Sequence, residues 1–404
     1  MRMSTYFPVV FIYFFINSLG LPFGLTYTAL LSPLLYVWVV LNRRQEVLWP
    51  FLLALTPVVL IQLSLGVDTK SYFLSLLNIT LVYLFCQAAY TFFIKCQHPE
   101  EIFHQLLIIN FVCCIIAIPL FFTPYSHLLW TKQLITTGAD EVTRLSLLTY
   151  EPSYYALLFT PLFCYFLLQL IFYRNSINGW LLLVMLLLPL ALSFSLGVIS
   201  AIAVALVISF VVHFKTFIRN KRFVNLAGVV VVSSVTALLI GLIFFPDNIL
   251  FVRIDNVLSG KDSSGKGRTF EAFWLAGQLL AKKSYWWGIG AGQIKILGFD
   301  LIRDYYGYSY DTVRVAIPNA AAETLALFGW VGFIVRILTE CVLFVYTKVW
   351  RNYYRLLLFT FIFVYQFTGS FITNVAEYVI WIIVFTSAFK EYNVVKKQVD
   401  KLTG

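Results

Sequence analysis

The chain has 404 residues, of which 60% are hydrophobic and only 12% charged, and its mean hydropathy is +0.85. A water-soluble protein of this length could not hide so much apolar surface, so lipid must be the solvent for most of it. The formal net charge of +10 does not by itself point to nucleic acid, because the basic residues follow a side-dependent pattern set out below.

A helix needs roughly 20 apolar residues to span the hydrocarbon core of a bilayer. Taken in chain order, twelve such spans are predicted, centred on Phe11, Pro33, Leu55, Leu81, Ile109, Phe163, Leu187, Val204, Val235, Phe333, Phe363 and Ile382. Runs such as "LLLVMLLLPLALSF" lack the alternation that barrel strands require. The expected fold class is therefore an all-α polytopic membrane protein. Nine spans fall in residues 1–245, with a first external loop at 124–151. A large external segment follows at 246–318, then three spans within 319–389 and a cytoplasmic tail at 390–404. The apolar stretch 180–214 is too long for one helix and is expected to break near "SFSLG" (193–197). A single span there would move every later loop to the opposite side.

The external segment 246–318 is long enough to carry structure or function of its own. In its "GRTFEAFWLAGQLLAKK", Phe270, Phe273, Trp274, Gly277 and Ala281 recur at helical spacing, which predicts an amphipathic helix lying apolar side down on the membrane. The following "WWGIGAGQ" (286–293) only superficially resembles a dinucleotide fingerprint. Its glycines follow a helix, where that fingerprint needs a preceding strand. A tight turn that brings backbone close to another element, or to a lipid head group, is the better expectation. No internal repeat is visible, which counts against a transporter built from two halves.

With the N-terminus inside, the cytoplasmic segments hold 16 Lys and Arg against five acids, while the external ones hold 12 against 11. This is the positive-inside distribution, which sets orientation and does not call for a polyanion partner. The six cysteines all lie in spans or near the inner face, so no disulfide framework is expected. Neither a C-x-x-C motif nor a histidine cluster suggests a metal site, and no cofactor is implied. The first apolar stretch runs into "LGLPFGL" without a small-residue cleavage site, so a cleavable signal peptide is not expected.

Three constellations could carry chemistry. In "RLSLLTYEPSYYALLFTPLF" (144–163), Pro152 suits a first helical turn and pushes Glu151 toward extended backbone. Glu151 then sits at the outer mouth of the sixth span, beside a helix N-terminus, with Arg144 near in sequence. Those two charges are either an interfacial ion pair or part of an active site. In "KGRTFEAFW", Arg268 heads the loop helix and is suited to bidentate phosphate contact, or is one charge on a solvated face. In "RVAIPNAAAETLALFGWVG" (314–332), Arg314 and Asn319 precede the tenth span, and Glu323 lies about one turn below the outer surface. An ionisable group at that depth lines a wet cavity or pairs with an arginine of another helix. Farther along, Arg336 and Glu340 are spaced to pair with each other, and Glu377 near the outer end of the last span is a weaker candidate.

In their order these motifs resemble the Wzy-type O-antigen polymerases and their relatives, the O-antigen ligases. The features are "R…EPSYYALL" after the first external loop, "SFSLGVISA" breaking a pair of spans, "GR…FW…WWGIGAG" in a large loop, and "N…FGWVG" entering the next span. The resemblance covers about 143–332, and the first five spans match in hydropathy alone. Ligases carry a histidine immediately before the asparagine of the last motif; here that position is Pro318, which favours a polymerase. Leu196 stands where many relatives have an arginine. What the resemblance implies is a GT-C-like fold in the bacterial inner membrane, both termini cytoplasmic, with an active cavity facing the periplasm. It implies transfer between undecaprenyl-pyrophosphate-linked oligosaccharides, expected to be metal-independent because no metal ligand set is visible. Arg268, Arg314 and Arg144 would hold pyrophosphate, Glu151 would be the base with Glu323 as second choice, and Asn319 and Tyr154 would contact substrate. External Trp286, Tyr305, Tyr306 and Tyr308 would contribute to a sugar groove or act as interfacial anchors. Membrane lipid and a chain-length regulator protein are the further partners implied, and nucleic acid is not. A ligase acting on lipid A core, a lipid-linked oligosaccharide flippase and a non-enzymatic export scaffold are the rival readings.

Overall fold

A computed structural model describes residues 27–43, 48–133, 141–173, 178–244, 267–306 and 315–394, with a few isolated positions besides. Its helices, in chain order, are α1 (Tyr27–Leu30), α2 (Ser32–Arg43), α3 (Leu48–Ser64), α4 (Thr69–Lys95), α5 (Pro99–Phe121), α6 (Pro152–Phe172), α7 (Gly179–Ser193) and α8 (Leu196–Val212). They continue as α9 (Phe214–Arg219), α10 (Lys221–Phe244), α11 (Phe270–Ala281), α12 (Ile294–Leu297), α13 (Phe299–Tyr306), α14 (Ala320–Tyr346), α15 (Tyr353–Tyr365) and α16 (Val375–Phe385). Between α5 and α6 lies a two-stranded antiparallel hairpin, β1 (Trp130–Gln133) and β2 (Val142–Leu145), which the reading of the chain as all-helical did not anticipate.

Four helices, α4, α5, α6 and α14, are long and apolar enough to cross a membrane, and several shorter apolar helices accompany them. Every predicted span centre falls on a helix except Phe11, which lies outside the described residues. The expected break in 180–214 is present: α7 ends at Ser193, Phe194 adopts left-handed backbone (φ 46°), and α8 starts at Leu196.

The chain divides into two compact units, each described separately. The first comprises residues 1–97, 267–350 and 362–388. In it α4 packs against α2 and α16, and α11 packs against α14. The core beside α11 is built from Ala272, Leu275, Ala276, Leu279 and Leu280 of that helix, with Ala322, Leu325 and Ala326 of α14. The predicted lipid-facing side of α11 is the side left uncovered by protein. The small residues of α11 turn inward because alanine against alanine lets two helices approach closely, while Phe270 is 88% exposed and Trp274 49% exposed.

α14 is not one straight rod. Gly329 has φ 66° and ψ −167°, which divides it into a buried first arm (320–328) and a second arm (330–346). The second arm shows Ile334, Val335, Leu338, Val342 and Val345 on its surface, the profile of a helix solvated by lipid. The "WWGIGAG" turn fills the break. Ile289 N donates to Ala326 O (2.9 Å) and Gly290 N to Leu327 O (3.0 Å) on one side. On the other, Trp330 N donates to Tyr285 O (3.0 Å) and Val331 N to Trp286 O (3.1 Å). Gln62 of α3 adds donors from Nε2 to Trp287 O (2.9 Å) and Leu327 O (2.8 Å). The kink therefore leaves few carbonyls and amides orphaned. Both Gly288 (φ 72°) and Gly329 are left-handed, and a Cβ on either would lie 2.3–2.6 Å from backbone of the other's segment. The turn thus does bring backbone against another element.

The second unit comprises residues 98–266, 351–361 and 389–404. α6 is its central helix: Tyr154 through Phe166 are all buried, as an all-round apolar helix should be. It packs against α7, α8 and α10. Trp130 Nε1 donates to Ala117 O (2.8 Å), which fastens the hairpin to the end of α5 over a core of Cys114, Leu145, Leu147 and Tyr155.

Loop segments distant in the chain meet within each unit. In the first unit the segment 366–374 meets 319–323, and Gln293 exchanges hydrogen bonds with backbone of Asp68. In the second, Tyr173 meets Glu391 and Asn352 meets Asn393.

Candidate active site

In the second unit, Pro152 does occupy the first turn of α6 and Glu151 is extended (φ −152°, ψ 139°). The Glu151 carboxylate does not cap its own helix; Ser153 Oγ donates to its Oε1 instead. Tyr154 is buried on the first turn, its ring 4.9 Å from that of Tyr150. Arg144 lies on β2 opposite Thr131 and is 8% exposed. Its Nε donates to Ser193 O (2.9 Å), the last residue of α7, and its Nη1 to Gln133 Oε1 (3.0 Å). A cation at a helix C-terminus complements the dipole there, so Arg144 secures the α7–α8 break from the hairpin.

In the first unit, Asn319 is the N-cap of α14 and is fully buried. Its Oδ1 accepts from Ala322 N (2.8 Å), while Nδ2 donates to Arg268 O (2.8 Å) and Phe367 O (2.6 Å). The side chain thus ties the residue that heads the loop helix to the start of α14. Arg268 itself is half-buried. The α15–α16 link wraps the same helix end: Ala320 N donates to Gly369 O and Ala321 N to Gln366 O, both at 3.1 Å. Glu323, on the next turn, accepts from Ile372 N at Oε2 (2.7 Å), and Tyr378 Oη donates to Ile372 O (2.7 Å). With these partners the first amides of α14 are committed to protein acceptors, and none is left for an anion.

Lys295 of α12 lies within electrostatic reach of Glu323, and Lys282 Nζ donates to Leu297 O (2.7 Å) beside it. The neighbouring Lys283 donates to Ile289 O, and partial burial lowers the pKa of its amine from the ordinary value. Arg314 and Tyr308 lie outside the described residues. Trp286 and Tyr305 are exposed. Among the described residues, no group of three or more His, Cys, Asp or Glu side chains is placed to hold a metal ion.

The candidates therefore divide between the units: Arg144, Glu151 and Tyr154 in one, Arg268, Asn319 and Glu323 in the other. Arg336 does pair with Glu340, as its spacing predicts (3.3 Å), and also with Glu377 on α16. Sequence reasoning did not single out Gln62, Gln366 or Lys295. A lone glutamine in an apolar span was the available signal for Gln62, since a polar group in lipid needs a partner. Gln366 and Lys295 sit near span ends, where polar residues are ordinary.

No curated protein matches the chain. Residues 158–337 match the family model described as O-antigen ligase, from the second turn of α6 to just past Arg336. The match takes in Arg268, Arg314, Asn319 and Glu323 and begins after Arg144, Glu151 and Tyr154. The matched stretch, somewhat under half of the chain, is consistent with the Wzy and O-antigen ligase family, which includes both ligases and polymerases.

Proposed function

We propose that the protein is a polymerase that joins undecaprenyl-pyrophosphate-linked oligosaccharide repeat units at the periplasmic face of the bacterial inner membrane. The observation that carries this reading over a ligase is Pro318. It stands immediately before the capping Asn319, where a ligase has histidine. In the reaction, a sugar hydroxyl of one lipid-linked unit attacks the anomeric carbon of the growing chain. The C–O bond to pyrophosphate breaks, and undecaprenyl pyrophosphate leaves with the electron pair. Such a leaving group is already good, so the protein must stabilise its charge and orient or deprotonate one hydroxyl.

Arg268 and Arg314 hold pyrophosphate in this reading, with Asn319 fixing the backbone from which Arg268 projects. Arg144, buried at the α7–α8 break, is the third pyrophosphate arginine of this reading. Glu151 takes the hydroxyl proton, and Glu323 is the alternative base. Tyr154 contacts the glycan. No metal ion takes part.

The test is reconstitution of the full chain with a synthetic lipid-linked repeat unit in the presence of chelator. A ladder of products is expected from the parent and not from Glu151→Gln or Arg268→Ala. An unchanged ladder from Glu151→Gln removes that residue as the base. The description of the matching family favours a second reading, an O-antigen ligase. In that case the parent makes no ladder and instead moves glycan onto added lipid A core.

A further inference from the structure

The α15–α16 link, "QFTGSFITN" (366–374), borders the candidate residues of the first unit. Asn319 Nδ2 holds it beside the head of the loop helix, donating to both Phe367 O (2.6 Å) and Arg268 O (2.8 Å). Gly369 O and Gln366 O take the first two amides of α14. On the far side, Ile372 N donates to Glu323 Oε2 (2.7 Å), Ile372 O accepts from Tyr378 Oη (2.7 Å), and Asn374 N donates to Phe371 O (2.9 Å). Between these fastenings, next to Gly369 and two residues before Ile372, stands Ser370.

Two properties of Ser370 work against stability. Its backbone is left-handed (φ 68°), a conformation that disfavours any residue with a Cβ and persists only where the surroundings enforce it. Gly369 stands beside it without adopting that conformation, so the chain sets serine, and not its neighbouring glycine, at the strained position. Ser370 is also 6% exposed, and its Oγ has no hydrogen-bond partner among the described residues. A buried hydroxyl in that state carries a desolvation cost that glycine or alanine would avoid. Glycine at 370 would relieve the strain and the lost hydrogen bond together. Packing therefore gives no reason for serine here, and strained or unsatisfied residues of this kind gather where ligands are held.

The neighbouring charge says what kind of ligand fits. Glu323 is half-buried, and the link that carries Ser370 is bonded to its carboxylate. A carboxylate repels phosphate, whereas a carboxylate and a hydroxyl together accept from and donate to the hydroxyls of a sugar. We propose that Ser370 is an acceptor-binding residue: its Oγ hydrogen-bonds a hydroxyl of the acceptor glycan held at Glu323. The pyrophosphate of the other substrate then lies at Arg268, on the opposite side of Asn319. This assignment rests on the transfer reading above and adds to it the place of the acceptor.

Titration of the full chain in nanodiscs tests it, with two probes: the repeat-unit oligosaccharide released from the lipid-linked pool of the source cells, and inorganic pyrophosphate. Ser370→Gly should bind the oligosaccharide roughly tenfold more weakly than the parent, the worth of one hydrogen bond to a buried ligand. Its affinity for pyrophosphate should be unchanged, and it should melt no lower than the parent. Ser370→Ala keeps the Cβ and loses only the hydroxyl, so it should match the glycine variant in oligosaccharide affinity. Parent-like affinity in Ser370→Ala overturns the proposal, as does a parent that binds no oligosaccharide. A glycine variant that melts lower, or loses pyrophosphate in step with oligosaccharide, gives Ser370 a structural role and overturns it too. The ladder assay judges the transfer reading separately: a parent that binds oligosaccharide through Ser370 but makes no ladder keeps this site and loses the polymerase.

Discussion

Asn319 spends its hydrogen-bonding capacity on backbone: one acceptor on its own helix and both donors on carbonyls of two other segments. Removing it by Asn319→Ala should cost the cap, about 1 kcal/mol, and leave two buried carbonyls unpaired at about 1–3 kcal/mol each. Asn319→Asp keeps the cap and loses the donors, so it should melt between the parent and the alanine variant in detergent. If Asn319 acts by placing Arg268, the aspartate variant should also lose transfer activity in the ladder assay while still folding. The pairing of Pro152 with an extended Glu151 was legible in sequence because proline restricts its own backbone and that of the residue before it. The partners of Asn319, Gln62 and Gln366 were not. Each reaches residues far away in the chain, and an amide in a sequence does not say which carbonyl it will meet.

At the scale of elements, the turn at 285–290 and the break in α14 are one interlocked feature. Gly288→Ala and Gly329→Ala each force a Cβ against backbone in a left-handed conformation, and each should unfold the protein at a markedly lower temperature. Because both disturb the same notch, the double variant should lose clearly less than the sum of the single losses in a double-mutant cycle. Strict additivity would mean that the two glycines act separately. The break between α7 and α8 was readable from length alone, since 180–214 exceeds one crossing. The break in α14 was not, because the apolar run continues through it and only the glycine of "FGWVG" marks the place. The alanine-lined face by which α11 packs on α14 was not legible, because large aromatics dominate a hydrophobicity pattern whereas close helix packing favours alanine. The hairpin escaped notice because each strand is only four residues long.

For the whole molecule, composition points to lipid as solvent, and the charge pattern predicts which loops lie inside. In a background without the native cysteines, Lys70→Cys and Lys295→Cys should react with an impermeant maleimide on intact spheroplasts. Lys221→Cys and Lys390→Cys should react only after lysis, and the reverse pattern would invert the orientation. What the sequence could not supply at this scale is the division into two units, because each is assembled from segments distant in the chain.

The bend at Gly329 also bears on the bilayer itself. Counted as one helix, residues 320–346 are ample for a crossing, but the arm from 330 to 346 rises only about 25 Å. The hydrocarbon core is roughly 30 Å thick. A hydrophobic mismatch of that size predicts a locally thinned bilayer beside the 285–290 turn. Head groups there would ride lower than elsewhere, so a phosphate-bearing lipid would be delivered at the depth of Arg268 and Glu323 without leaving the membrane.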